Sequence, residues 1–176
     1  MKDISQLIST NCQLLAQSVE MIEMISSEAY TQRESPLYAS SVGEHLRHVV
    51  EHYQMFLSGV ESGVADYDAR IRDLRISTDP AFAKWTIHQV GLALEHMPSS
   101  DKPVSVRLAS SHDGSHPMIV SDSSLCRELQ YLQAHTVHHF ALIAMILRLQ
   151  GMELATDFGV ASSTIAHKES QLSSSN

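Results

Sequence analysis

Apolar residues recur every three or four positions along four stretches of this chain, the spacing that gives an α-helix one apolar stripe. In the first stretch, residues 3–30, the stripe is Ile4, Leu7, Ile8, Leu15, Val19, Ile22 and Ile25, closed off by Pro36 and the serines around it. The second starts at Ser40 or Ser41, either a good N-cap, and carries Val42, Leu46, Val49, Tyr53, Phe56 and Val60 before Gly63. The third follows Asp79-Pro80, an N-cap with proline at the first helical position. Phe82, Trp85, Ile87, Val90, Leu92 and Leu94 run from there to Met97 and Pro98, and Trp85 and Met97 read as core. The fourth starts within Ser121–Ser124 and ends at Gly151, with Leu125, Leu129, Leu132, His139, Ile143 and Ile146 facing inward.

Between the third and fourth helices, two strand-prone segments flank a polar tip containing Asp113-Gly114, the signature of a β-hairpin. The connection over residues 61–78 is long enough to run back along a neighbour, so the second and third helices can be parallel. The expected architecture is an all-α, four-helix domain over residues 1–166 with a small β-hairpin, followed by a polar tail at 167–176. A chain of 176 residues suits one core rather than two.

Composition narrows the function. The apolar fraction of 43% is that of a folded globular protein, and the net charge of −8 argues against a nucleic-acid partner. Arg70, Arg72 and Arg75 are the densest basic group, but Asp66, Asp68 and Asp73 interleave with them, which reads as a solvated loop. The longest apolar run, Phe140–Leu147, is too short to cross a bilayer, and the first residues lack an apolar leader; a cytoplasmic protein with no membrane partner is expected. Cys12 and Cys126 match no metal or redox spacing and read as small buried hydrophobes in a reducing compartment.

The candidate chemistry lies in the histidines, eleven against twelve Lys plus Arg. Three of them, His45, His48 and His52, stand three and four residues apart on the second helix, beside its core stripe. His135 and His139 are four apart on the fourth helix and therefore share a face, the arrangement by which one helix supplies two imidazoles to one ion. A single His on an apolar face is most often a hydrogen-bonded core residue; two clusters on facing helices change that balance. One imidazole from the second helix would complete a three-nitrogen site with an open position. The Glu-x-x-His pairs of di-iron bundles are missing, and Thr136 occupies the position of the general-base Glu in a His-Glu-x-x-His motif. Imidazole-only ligation points to a divalent metal, zinc or nickel first. His112 and His116 flank the hairpin tip, Ser110 and Ser111 form no nucleophile elbow, and Asn11 and Ser18 read as satisfied polar groups of the first helix.

Ser41-Val-Gly-Glu-His-Leu-Arg-His48 on a second helix, with His135-Thr-Val-His-His139 on a fourth, resembles the DinB/YfiT-like metalloenzyme superfamily. The resemblance covers roughly residues 3–165 and implies a four-helix bundle in up-down-down-up order. It implies a metal held by one His of the second helix, best matched by His48, and by His135 and His139. His45, His52 and His138 then supply supporting or proton-transfer groups. Relatives of known activity are S-transferases and an isomerase that use low-molecular-weight thiols, so a small-molecule substrate and a thiol cofactor are expected, with a non-catalytic, stress-related metal protein as the alternative. A homodimer is also expected, because Leu14, Met21 and Met24 widen the apolar face of the first helix.

Overall fold

The computed structural model describes residues 2–34, 36, 38–109 and 117–173. Four long helices dominate it: α1 (Ser5–Met24), α3 (Val42–Ser62), α5 (Pro80–Glu95) and α6 (Leu125–Leu149). Shorter helices are α2 (Ser27–Thr31), α4 (Leu74–Thr78) and α7 (Ser162–Ser173). Both α1 and α3 pack on α5 and on α6, so the four close a ring around one core that holds Leu15, Leu46, Phe56, Ile87, Leu94, Leu132 and Ile143. No helix among the described residues is long and apolar enough to cross a membrane.

The expected boundaries follow from local caps. Ser41, Asp79 and Ser124 accept backbone N–H groups at the starts of α3, α5 and α6, and Gly63 takes the left-handed conformation (φ 81°) that ends α3. The first helical stretch is interrupted: Ile25 is extended and Ser26 caps α2 through its hydroxyl. α7 covers much of the segment that reads as a polar tail.

The chain is mostly helical rather than all-α. The strands β1 (Val64–Asp66), β2 (Pro103–Leu108) and β3 (Ile119–Ser124) form one sheet in the order β1-β2-β3. β2 and β3 are the antiparallel pair expected from the sequence, while the tip with Asp113-Gly114, His112, His116, Ser110 and Ser111 lies outside the described residues. β1 adds a parallel edge, Val64 facing Ser105, and three residues are too few to show a period of two.

Trp85 is corrected from core to surface, at 57% exposure. The buried stripe of α5 is Ala83, Ile87, Val90 and Leu94; Trp85 is two residues from Ala83 and from Ile87, about 200° around the helix from each. Met97 is buried as expected, and so is Cys126, while Cys12 is half-buried.

Candidate metal centre

The start of α3 is held from three sides. Ser41 and Glu44 form a reciprocal capping box, and Arg33 clamps Glu44 at 2.6 and 3.1 Å. Gly43 lies so close to α4 that a Cβ there would meet the Ser77 carbonyl oxygen at 2.3 Å. These contacts fix the height at which His45, His48 and His52 face α6.

α3 and α6 run antiparallel: His45 lies against His139, His48 and His52 against His135, and Tyr67, beyond the end of α3, against Glu128. A buried polar cluster locks the pair from behind. The Tyr53 hydroxyl donates to Asn11 Oδ1 (2.7 Å) and shares a hydrogen bond with Thr136 Oγ1 (3.1 Å), while Asn11 Nδ2 donates to the Leu7 and Leu129 carbonyls. Asn11 and Ser18 are thus satisfied core polar groups, Ser18 through the Leu15 carbonyl.

Five imidazoles meet between the two helices. His48 Nε2 is 3.2 Å from His135 Nε2, and His45 Nδ1 is 2.9 Å from His139 Nδ1. The ring of His48 lies 4.3 Å from that of His52 and 4.7 Å from that of His139. His48, His52 and His135 each offer a nitrogen such that all three lie within 4.8 Å of one another. Of the residues expected to form the site, His48 and His135 therefore come together directly, His139 faces His45, and His52 joins the close group. His138 is exposed at the rim, its ring 5.4 Å from that of His139.

Burial holds these rings neutral. Desolvation, reinforced by neighbouring imidazoles and Arg70, pushes His48 down to about 2. Desolvation also takes His135 to about 4 and His139 to about 3, and it lowers His45 and His52. Neutral imidazole is the ligating form. His52 Nδ1 donates to the His48 carbonyl at 2.7 Å, leaving Nε2 with its lone pair, the tautomer that metal-bound histidines adopt. His45 Nε2 and His135 Nδ1 are buried without hydrogen-bond partners among the described residues. Tetrahedral zinc bound at about 2.0–2.1 Å sets its nitrogens about 3.3 Å apart. The 3.2 Å pair already matches that, and the third nitrogen must close in from as much as 4.8 Å. The donor set fits a divalent ion.

Sequence reasoning missed the residues that frame the histidines. Arg70 donates through Nη1 to His48 Nδ1 and through Nε to the Tyr67 carbonyl (2.9 Å), although its segment reads as a solvated loop. Tyr67 stacks on His52 and Tyr131 on His135, both with centroids 5.4 Å apart. Burial and the neighbouring Glu128 carboxylate push the Tyr67 phenol up, so it stays a neutral donor, bonded to Glu128 at 2.7 Å. The spacing of Tyr131 and His135, four residues apart on α6, was a usable signal for one of them; the position of Arg70 depends on a crossover that no local pattern encodes.

Comparison with known proteins gives little to set beside this geometry. No family model matches the chain, and no solved structure matches it. Over 166 residues it is 29% identical to FK506-binding protein 5 of Rhizopus delemar, a match covering 93% of this chain. The chain spans 38% of the length of that curated relative.

Proposed function

We propose that this protein is a metal-dependent enzyme of the DinB type, a thiol-dependent S-transferase whose divalent ion, zinc or nickel, is held by three imidazoles. The observation that carries the reading is the group of neutral His48, His52 and His135 nitrogens within 4.8 Å of one another, on two helices locked together from behind. Contacts at the helix ends support an up-down-down-up bundle. α3 begins beside Ser77, just before α5, and Gly63 at its end accepts from Ser105 in β2, the strand that follows α5. Ile4, at the start of α1, donates to Ser99 beyond the end of α5, and Gln150 at the end of α6 donates to Ala29 beyond α1.

His48 and His135 are the common pair of the ligand set. The free Nε2 of His52 favours it as the third ligand, while the family resemblance favours His139. A divalent ion there supplies a charge that favours the thiolate of a small thiol, its nucleophilic form. The chain's own residues orient and exclude water: Tyr67 and Tyr131 wall one side, and His45 and Tyr38 stack at the other. The name of the fungal relative carries over no ligand, since the chain spans only 38% of that protein.

Elemental analysis of the purified protein and of single alanine variants tests the reading. His48→Ala and His135→Ala should each lose most of the metal, His138→Ala should keep it, and the weaker binder of His52→Ala and His139→Ala identifies the third ligand. Full metal content in both His48→Ala and His135→Ala would sink the site. A second reading, a closed non-catalytic metal site in a stress-related dimer, is favoured by the His139 ring, 4.6 and 4.7 Å from those of His135 and His48 and able to supply a fourth ligand. The visible spectrum of cobalt-loaded protein separates the two: added thiol shifts it only if a coordination position is open.

A further inference from the structure

Arg70 is the one side chain among the described residues that brings a fixed positive charge into hydrogen bonding with the histidine group. Guanidinium has donors and no acceptor, so His48 Nδ1 must be the acceptor and the proton of neutral His48 sits on Nε2, facing His135. Ligation through Nε2 requires the opposite tautomer, with the proton on Nδ1. A metal held by that nitrogen and the Arg70–His48 hydrogen bond therefore exclude each other. The Nε bond to the Tyr67 carbonyl keeps the base of the guanidinium beside the site even when its tip lets go of His48.

Arg70 has no ion-pair partner among the described residues. Neutral imidazoles neutralise none of a divalent ion, and Arg70 adds one more positive charge next to it. The nearby carboxylates keep their charge but are directed to other donors: Asp68 accepts from Ala109 N, Glu128 from Tyr67 and Ser123, and Glu44 from Arg33. A ligand can supply the ion-pair partner, since the fork of a guanidinium matches a planar carboxylate in two parallel hydrogen bonds.

We propose that Arg70 makes the histidine site selective for a carboxylate-bearing small molecule, gripping the carboxylate with the guanidinium tip that leaves His48 when the metal binds. The inference rests on the metal reading given above. It makes metal and carboxylate binding cooperative: the anion draws Arg70 off His48 and offsets its charge, so each ligand tightens the other by the same factor.

The test uses the full chain, cobalt(II) as the metal, acetate as the anionic probe and acetamide as its neutral isostere, in a non-coordinating buffer. Saturating acetate should tighten cobalt binding by about tenfold, within the usual range of coupling between sites, and acetamide should do nothing. Arg70→Gln should bind cobalt more tightly than the parent without acetate, because His48 is released, and should lose the acetate effect. Arg70→Lys, which keeps the charge, should retain a reduced acetate effect, and circular dichroism of both variants checks that they fold. If the parent takes up cobalt but acetate and acetamide act alike, or Arg70→Gln keeps the full acetate effect, this inference is overturned and the metal reading stands. If neither parent nor Arg70→Gln takes up cobalt, the metal reading fails and the inference falls with it.

Discussion

Replacing Tyr53 with Phe removes one hydroxyl from the polar cluster behind the histidines and leaves the ring in place. Tyr53 is fully buried, and its hydroxyl serves two partners, Asn11 Oδ1 at 2.7 Å and Thr136 Oγ1 at 3.1 Å. Each lost hydrogen bond costs about 0.5–1.5 kcal/mol net, and an orphaned buried acceptor costs about 1–3 kcal/mol. Asn11 Oδ1 has no other hydrogen-bond donor among the described residues, so the orphan cost falls on it, while Thr136 can turn its hydroxyl toward its own helix. Burying Phe without the hydroxyl returns part of the loss, and the expected destabilisation is about 2 kcal/mol. For a chain of this size that lowers the melting temperature by about 4–8 °C. Urea unfolding at pH 8, with and without the substitution, measures it as a change in midpoint at constant slope. The double variant Asn11→Leu, Tyr53→Phe removes donor and acceptor together and should cost less than the two single changes summed. A loss below about 0.5 kcal/mol, or strict additivity in the double variant, would refute the buried-cluster account.

Acid should unfold the metal-free protein early. The folded-state values of His48, His135 and His139, about 2, 4 and 3, lie below the value near 6.5 of an unfolded chain, so between those limits the unfolded state binds more protons. Stability from this source is complete above pH 6.5 and is lost as the pH falls toward 4. The urea midpoint should drop over that range by more than in a His48→Gln, His135→Gln variant, and a parallel pair of curves would count against it. Gly43→Ala should destabilise by about 3 kcal/mol or more, because the new methyl meets the Ser77 carbonyl at 2.3 Å and the backbone cannot give way as a side chain can. A thermal melt within 2 °C of the parent would contradict that packing. Self-association through the apolar flank of α1, where Met24 is 61% exposed, should appear as a dimer mass in light scattering, and Met24→Glu should return the monomer.

What the sequence makes legible here is what neighbouring residues determine. Ser41 with Glu44, Asp79 with Pro80, and Gly63 are local signals, and each marks a helix end where it was expected. The histidine clusters are equally local, since spacings of three and four on a helix determine which rings share a face. β1 was hidden because the strand it pairs with, β2, lies some forty residues further on. Arg70 was hidden for the same reason: alternating Asp and Arg look solvated in a string, and only the tertiary fold turns one guanidinium inward. That the close nitrogen contact of His139 is with His45, although its ring lies nearer that of His48, depends on side-chain rotamers, which periodicity does not constrain.

The crossover that carries Arg70 is tied down at both ends by backbone. β1 pairs with β2 before it, and after it the Asp73 amide donates to the buried carboxylate of Glu51 at 2.7 Å. Asp66 and Asp68 pin its turn from within. Two separate parts of the chain therefore set two separate properties: the helices carry the nitrogens, and a short strap carries the charge beside them. Such a strap behaves as a replaceable cartridge. On the reading proposed above, exchanging residues 69–72 while leaving Tyr67, Asp68 and the two anchor points intact would redirect the site toward cationic or neutral molecules without rebuilding the helices. Descendants of one such scaffold could diverge in what they accept while keeping the same imidazoles.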